Sequence, residues 1–365
     1  MPMYTDYTNR GQFNNNILNL PFSKIQLIDA LEKKLVSVKK HPTEQLYIFN
    51  YTPLAQYSQQ WNEVTKTCRG LILDEDYNIV ARPFPKIFNY TEIEPDAVVL
   101  EQNPVIHDKL DGSLGIGYKT KTGWKIATRG SFSSDQAIWA TEWLNKQYLK
   151  YDQPDSVTCL FEIIYPDNRI CVNYGERAEL VLIAAINNVT GADFPLEGVT
   201  WWEGSRVTRI VGLSGLNDAS AYATGEDYNG REGIVCTWLK YNQPSFRLKI
   251  KHPEYVRLHG IIHSFSKKKV WESLSNNQDF LELLHDVPDE FYAIVKETVS
   301  DLILEFKEIE KFALEDYDEI KHINSRKAFA LKAAKSKYSA ILFKLIDNKD
   351  YAPIIWKMIK PQGGV

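Results

Sequence analysis

The chain has 365 residues, 44% of them hydrophobic and 25% charged, with a formal net charge of -4. That length favours two domains, the charge excludes a global polycation, and no apolar run approaches the roughly 20 residues of a membrane span. Cys68, Cys159, Cys171 and Cys236 never approach C-x-x-C spacing, which points to buried reduced thiols rather than zinc or a disulfide framework.

The N-terminal stretch MPMYTDYTNRGQFNNNILNL has neither the basic n-region nor the apolar h-region of a secretory signal, so a cytoplasmic protein without membrane contact is expected. Within the first hundred residues, KIQLIDALEKKLVSVKK is a charged helical segment, QLYIFNY is a short apolar piece, and RGLILDEDYNIVARPF predicts a hairpin turning at Asp74 to Asn78. From Val105 the β character strengthens. SLGIGYKT, the turn KTG and WKIATRG predict a second hairpin, and Ser133 followed by Gln136 predicts a capping box for a helix through AIWATEWLNKQYL. Strand-like runs recur at VTCLFEIIY, AELVLIAAI, EGIVCTW and FRLKIK, giving a mixed, largely antiparallel α+β domain that ends near His252. Beyond it, apolar residues at Tyr292, Val295, Val299, Leu302, Phe306 and Ile309 fall in steps of three and four, one face of an amphipathic helix. SRKAFALKAAKSKYSAILFKLI and APIIWKMI continue an all-α region from about residue 256.

The residues with unusual chemistry lie in the β region. In FRLKIK, strand alternation sets Phe246, Leu248 and Ile250 on one face and Arg247, Lys249 and Lys251 on the other, a solvated edge or a polyanion site. Glu162 sits inside the apolar run CLFEIIY, where a carboxylate is costly to bury unless a cation, metal or ligand hydroxyl meets it. Glu232 stands immediately before Gly233, a spacing that lets backbone approach a ligand closely. HDKLDGSLGIG places Lys109 and Asp111 on a shared strand face if the strand continues to the loop, with Gly112 beyond. Its lysine can be a turn residue, a phosphate clamp or a nucleophile. Blander features accompany these. GSLGIG lacks the order of a dinucleotide fingerprint, HGIIH (His259, His263) lacks the glutamate of a zinc protease, and Trp201 and Trp202 of WWEGS suit packing more than base stacking. The cations Arg326, Lys327, Lys332, Lys335 and Lys337 suit a solvated face or contacts to RNA phosphates.

Taken together and in order, KLDGS, FEIIYPDNRI, EGIVCTW and FRLKIK resemble the motifs of the covalent nucleotidyltransferase superfamily of ATP-dependent ligases and mRNA capping enzymes. CRGLIL, PKIFNY and RGSFSSDQA are further similar to runs of the bacteriophage RNA ligase 1 family, over about residues 45 to 255. The resemblance implies an α+β fold: an antiparallel-sheet nucleotidyltransferase domain of the ATP-grasp-like ligase kind over 1–255, with an N-terminal subdomain 1–100. An all-α domain over 256–365 would then serve as an RNA-specificity element. It implies that Lys109 attacks the α-phosphorus of ATP to form lysyl-AMP, with Lys249 and Lys251 stabilising the charge there and Glu232 completing the catalytic set. Arg69, Lys86 and Arg129 would meet the triphosphate, Arg129 standing where lysine is expected. Asp111, Gly112, Glu162 and Val235 would bind the rest of the nucleotide, with Ile234 beside Val235 at the adenine and Ser113 nearby. Asp111, Glu162 and Glu232 would hold Mg²⁺ or Mn²⁺, mainly through water. The implied partners of this expected monomer are ATP and RNA 5′-phosphate and 3′-hydroxyl ends, such as those of a nicked tRNA. A GTP-dependent capping guanylyltransferase and a catalytically inactive nucleotide- or RNA-binding module are the competing readings. The helical C-terminal region, where capping enzymes carry a β-rich OB-fold, disfavours the first.

Overall fold

The computed structural model describes residues 19–92, 102–225, 230–262, 267–276 and 292–361. The chain divides into two compact units, 1–262 and 263–365. The first is α+β with largely antiparallel sheets, and the described part of the second is helical.

The first sheet has the order β1 (Val36–Lys40), β2 (Leu46–Tyr51), β3 (Arg69–Asp74), β4 (Ile79–Ala81), all antiparallel, so the hairpin expected at Asp74 to Asn78 is present. Helix α1 (Lys24–Glu32) opens on a reciprocal capping box between Ser23 and Gln26. It packs Leu27, Ala30 and Leu31 with Leu71, Leu73 and Phe49 on one side of this sheet. Ile72, between those two leucines, points the other way and meets Ile116, Tyr118 and Leu160. Burial on both faces accounts for the unbroken apolar run of RGLILD, which an alternating half-exposed strand would not show. The short helices α2 (Pro53–Tyr57) and α3 (Glu63–Thr67) connect β2 to β3.

Strands β5 (Phe88–Asn89) and β6 (Val105–Lys109) come next in the chain and belong to a third sheet. The second sheet is built from β7 (Ser113–Thr120), β8 (Gly123–Ala127), β9 (Val157–Ile164) and β10 (Glu179–Asn187), in the order β10-β9-β7-β8. Its far face is covered by α4 (Asp135–Gln147), whose Ala140 and Leu144 pack with Phe161, Ile163, Leu182 and Trp202. The cap of α4 is Ser134, whose hydroxyl accepts from the Ala137 N–H at 3.3 Å. The capping box expected from Ser133 and Gln136 is therefore not formed: the cap is Ser134, whose extended backbone aims its side chain into the first turn, and the residue three on is Ala137, which cannot reciprocate. Trp202 is buried in the same core and donates its indole N–H to the Ser205 carbonyl at 2.9 Å, which assigns it to packing.

Arg82 ties the first sheet to the second. It is buried, its N–H donates to the Thr158 hydroxyl at 2.8 Å, and its guanidinium donates to the carbonyls of Asn19, Asn188 and Val189 at 2.9, 3.2 and 2.9 Å.

The third sheet runs β11 (Arg209–Ile210), β6, β12 (Gly233–Trp238), β13 (Phe246–Lys251), β5, antiparallel except for the parallel pair β13–β5. Helix α5 (Gly215–Thr224) buries Leu216, Ala219 and Ala223 against Ile106, Ile234, Cys236, Leu248 and Ile250 on one face of this sheet. Helix α6 (Pro253–Ile262) follows β13 directly and belongs to the first unit.

In the second unit, α7 (Lys267–Ser275) precedes the long α8 (Tyr292–Ile320), α9 (Arg326–Ala333), α10 (Ser339–Ile346) and α11 (Ala352–Met358). Val295, Val299 and Leu302 are buried, and Phe306 and Ile309 pack on Ala313, Ile341 and Ile355, the stripe expected from the spacing. The side chain of Tyr292 and all of His263 lie outside the described residues. In the segment SRKAFALKAAKSKYSAILFKLI, expected to be helical, α9 starts from the Ser325 cap and α10 follows Tyr338. Among the described residues no helix is long and apolar enough to cross a membrane.

Candidate functional site

The register of the third sheet assembles the site. Gly233 of β12 lies opposite Lys109 of β6 on one side and Lys251 of β13 on the other, and the next row is His107, Val235, Lys249 and then Asn89 of β5. Residues directly opposite in a ladder point to the same face, so the two rows carry Lys109, Lys251, His107 and Lys249 on the face away from α5. Gly233 contributes no side chain between the first two lysines. A Cβ there would stand 2.1 Å from the Ile250 carbonyl oxygen, at a φ of +154°.

Glu232 enters that gap. Its carboxylate accepts from Lys109 Nζ at 2.7 Å and Lys251 Nζ at 3.1 Å, and its side chain is only 4% exposed. Burial alone pushes such a carboxyl up. The two ammonium groups, each also hydrogen-bonded to it, outweigh burial and hold Glu232 below its ordinary value. Glu162 faces the same lysine from β9 of the second sheet and accepts from the Gly112 N–H at 3.0 Å. Burial, followed by the nearby charges of Glu232 and Asp111, pushes Glu162 up to about 7 against the opposing pull of Lys109 and the Gly112 N–H. Two carboxyl groups beside one lysine, Glu232 buried and Glu162 half-buried, are thus displaced in opposite directions, a pattern that marks functional sites more often than plain structural pairs.

The loop after β6 departs from the expected geometry. The strand stops at Lys109, so Asp111 does not share its face. The buried Asp111 carboxylate accepts from the N–H groups of Cys171 and Val172 and from the Tyr255 hydroxyl, and Ser113 Oγ lies 3.0 Å from Asn168 Oδ1. Gly112 is required by contact rather than by φ, since a Cβ would stand 2.5 Å from the Ile163 carbonyl oxygen.

The three remaining expected cations come from β3 (Arg69), the stretch before β5 (Lys86) and the turn after β8 (Arg129). Lys86 is buried, donates to Gln56 Oε1 at 2.8 Å, and lies 5.1 to 5.6 Å from the ring centres of Trp61, Tyr51 and Phe88. Arg129 donates to the Tyr51 hydroxyl at 3.0 Å and stacks on the same ring. Arg69 and Arg247 both pack on Phe84, at 5.1 and 5.0 Å, and Arg247 is ion-paired with Asp193. Of the two residues expected at an adenine, Val235 is half-buried on the lysine face, whereas Ile234 is buried in the opposite core with α5. His107 was not singled out from sequence. It stands two residues before Lys109, the strand period that puts both on one face. Burial, with Arg209 and Arg247 adding to it, holds its imidazole below the ordinary value.

The family model for RNA ligases of the T4 RNA ligase 1 type matches residues 67–255, a span containing Arg69, Lys86, both glutamates and all three lysines of the third sheet. The chain belongs to this RNA ligase family. Relatives of this family member include an RNA ligase of Rhodothermus phage RM378, 24% identical over 347 residues that cover 74% of this chain and 75% of that one. A putative bifunctional polynucleotide kinase/RNA ligase of Autographa californica nuclear polyhedrosis virus is 26% identical over 254 residues, 62% of this chain and 35% of the viral protein. The ligase-family chain thus spans about a third of the viral relative's length. Among solved structures, a Naegleria gruberi RNA ligase variant with ATP and Mn overlays 44% of this chain and 52% of that one, at 16% identity and a TM-score of 0.35. A putative ATP-dependent DNA ligase of Aquifex aeolicus overlays 90% of this chain and 100% of that one, at 14% identity and a TM-score of 0.47. Neither overlay is close enough to inform the site.

A divalent cation fits the residues of this family member only indirectly. Among the described residues no three Asp, Glu, His or Cys side chains converge as a ligand set. The under-compensated charge of Glu162 and the oxygen-only donors suit a hard cation held through water and substrate phosphate.

Proposed function

We propose that this chain is an ATP-dependent RNA ligase that joins RNA 5′-phosphate and 3′-hydroxyl ends through lysyl-AMP and RNA-adenylate intermediates. The observation that carries the proposal is the Lys109–Glu232–Lys251 cluster, two lysines flanking a glycine with one buried carboxylate between them. Lys109 Nζ gives up a proton to solvent and bonds to the α-phosphorus of ATP. The bond from that phosphorus to its β-bridging oxygen breaks, and pyrophosphate leaves. A 5′-phosphate oxygen of RNA then takes the AMP from Lys109, and a 3′-hydroxyl attacks the activated 5′-phosphorus to release AMP.

In this reading Lys251 and Lys249 supply positive charge at the α-phosphate, where preorganised cations act most strongly in a low-dielectric site. Glu232 holds Lys109 and Lys251 at a common point. Arg69, Lys86 and Arg129 meet the triphosphate, with Lys86 already desolvated by its aromatic surround. Val235, beside His107 and Lys249, forms the wall for the base. Mg²⁺ or Mn²⁺ would be held through water by Glu162 and Glu232 and would neutralise phosphate charge. We assign the adenylyltransferase role to 1–255 and RNA specificity to 256–365, and extend the proposal to a cytoplasmic monomer that repairs nicked RNA such as tRNA. All four cysteines are buried and unbridged, which suits a reducing compartment.

Incubation with ATP labelled at the α-phosphate and Mg²⁺, followed by a denaturing gel, tests the reading. Label that persists on the wild type, is absent from Lys109→Ala and is chased by 5′-phosphorylated RNA into joined product is expected. Stronger labelling from GTP would overturn it in favour of a capping enzyme.

A further inference from the structure

The anchoring of Asp111 is more elaborate than a ligand role requires. Its carboxylate is 3% exposed and accepts from the Cys171 N–H at 2.8 Å, the Val172 N–H at 2.7 Å and the Tyr255 hydroxyl at 2.7 Å. Its own N–H donates to the Tyr174 hydroxyl at 2.9 Å. Tyr255 is 1% exposed, stands in the first turn of α6 four residues after Lys251, and carries Lys251 Nζ 5.2 Å from its ring centre. Only Leu110 separates Asp111 from Lys109, and the next two residues are held as well, Gly112 by Glu162 and Ser113 by Asn168.

We infer that Tyr255 and Tyr174 are positioning residues that fix Asp111 as the anchor of the Lys109 loop, so that Asp111 acts through the backbone rather than as a ligand to nucleotide or metal. Turning the carboxylate toward a ligand would strand two buried backbone N–H donors and a buried phenol, each costly to leave unmade. A charge-assisted bond from a phenol to a carboxylate is among the stronger ones, which suits an anchor. The same tyrosine also floors Lys251, so one side chain sets the spacing of both lysines around Glu232. This inference rests on Lys109 being the nucleophile of the proposed ligase.

Tyr255→Phe and Tyr174→Phe test it with two readouts. In nucleotide-free, metal-free protein, backbone amides of residues 110–113 should exchange with deuterium about 10-fold faster in Tyr255→Phe, the effect of losing one hydrogen bond to a charged group. At saturating ATP and Mg²⁺, lysyl-AMP formation should slow by about 10-fold, with the half-saturating concentrations of both unchanged. Unchanged exchange overturns the anchor, and so does a defect that excess Mg²⁺ restores, because that is the signature of a lost metal ligand. Tyr174→Phe, on a half-buried ring, decides the matter if Tyr255→Phe lowers the melting temperature of the whole unit. A wild type that forms no lysyl-AMP would instead defeat the ligase reading, and the exchange measurement would still judge the anchor.

Discussion

Replacing Glu162 with glutamine removes a carboxyl whose ionised form the fold accommodates poorly. The glutamine Oε1 can still accept from the Gly112 N–H, so the exchange changes charge and little else. Burial, together with Glu232 and Asp111, raises the carboxyl from its ordinary 4.5 to about 7. Below pH 4.5 the group is protonated in folded and unfolded chains alike and contributes nothing to the pH dependence. Between 4.5 and 7 the unfolded chain releases the proton while the folded chain retains it, so stability falls as pH rises. Above 7 both are ionised and the penalty is complete. A rise from 4.5 to about 7 corresponds to about 3 kcal/mol at roughly 1.36 kcal/mol per pH unit. Urea unfolding of Glu162→Gln and wild type from pH 4.5 to 8.5 should therefore show the variant gaining on the wild type by about 3 kcal/mol, with the gain levelling off above pH 7.5. A difference that is flat with pH, or that shrinks as pH rises, would refute the charge balance assigned to this site.

Lys251→Met should slow lysyl-AMP formation by about 10²- to 10³-fold in single-turnover labelling, the usual loss when one preorganised charge is removed from a transition state. Gly233→Ala should destabilise the first unit by about 2–4 kcal/mol in urea unfolding, since its Cβ meets the Ile250 carbonyl oxygen at 2.1 Å. Trp61→Ala opens the surround of Lys86 and should raise the ATP concentration for half-maximal labelling by about 10-fold, with a smaller effect on the maximal rate. Deleting residues 263–365 should leave lysyl-AMP formation intact and change which RNAs are joined, measured by competition between single-stranded and nicked-hairpin substrates.

Much of the third sheet was legible because its chemistry sits on strands, where a period of two fixes the face. The alternation of FRLKIK places Lys249 and Lys251 together, and the same count places His107 with Lys109. Registers between strands are another matter. Nothing local indicates that Gly233 falls opposite both lysines, since pairing is set by contacts between β6, β12 and β13 that are distant in the chain. The Asp111 anchor was hidden for a similar reason. Its partners Cys171, Val172 and Tyr255 come 60 to 144 residues later, and continuing β6 by two residues would have put Asp111 on the wrong side. Ile234 was misjudged because a residue adjacent to Val235 faces the opposite core. The aromatic surround of Lys86 draws Tyr51, Trp61 and Phe88 from three separate segments, and aromatic residues read alone look like ordinary core.

The acceptors of the Arg82 guanidinium carry a consequence for how the molecule comes apart in acid. Those acceptors are backbone carbonyls, and carbonyls do not titrate. The Lys109–Glu232–Lys251 cluster depends on a carboxylate held below its ordinary value, and its contribution vanishes as pH falls through that lowered value. One set of bonds is therefore blind to acidity and the other is not. On acidification the third sheet loses the ion pairs that join Lys109 and Lys251 through Glu232, while its backbone ladder and the Arg82 bonds are unchanged. Acid therefore dissolves the lysine–glutamate cluster without touching the bonds that Arg82 makes.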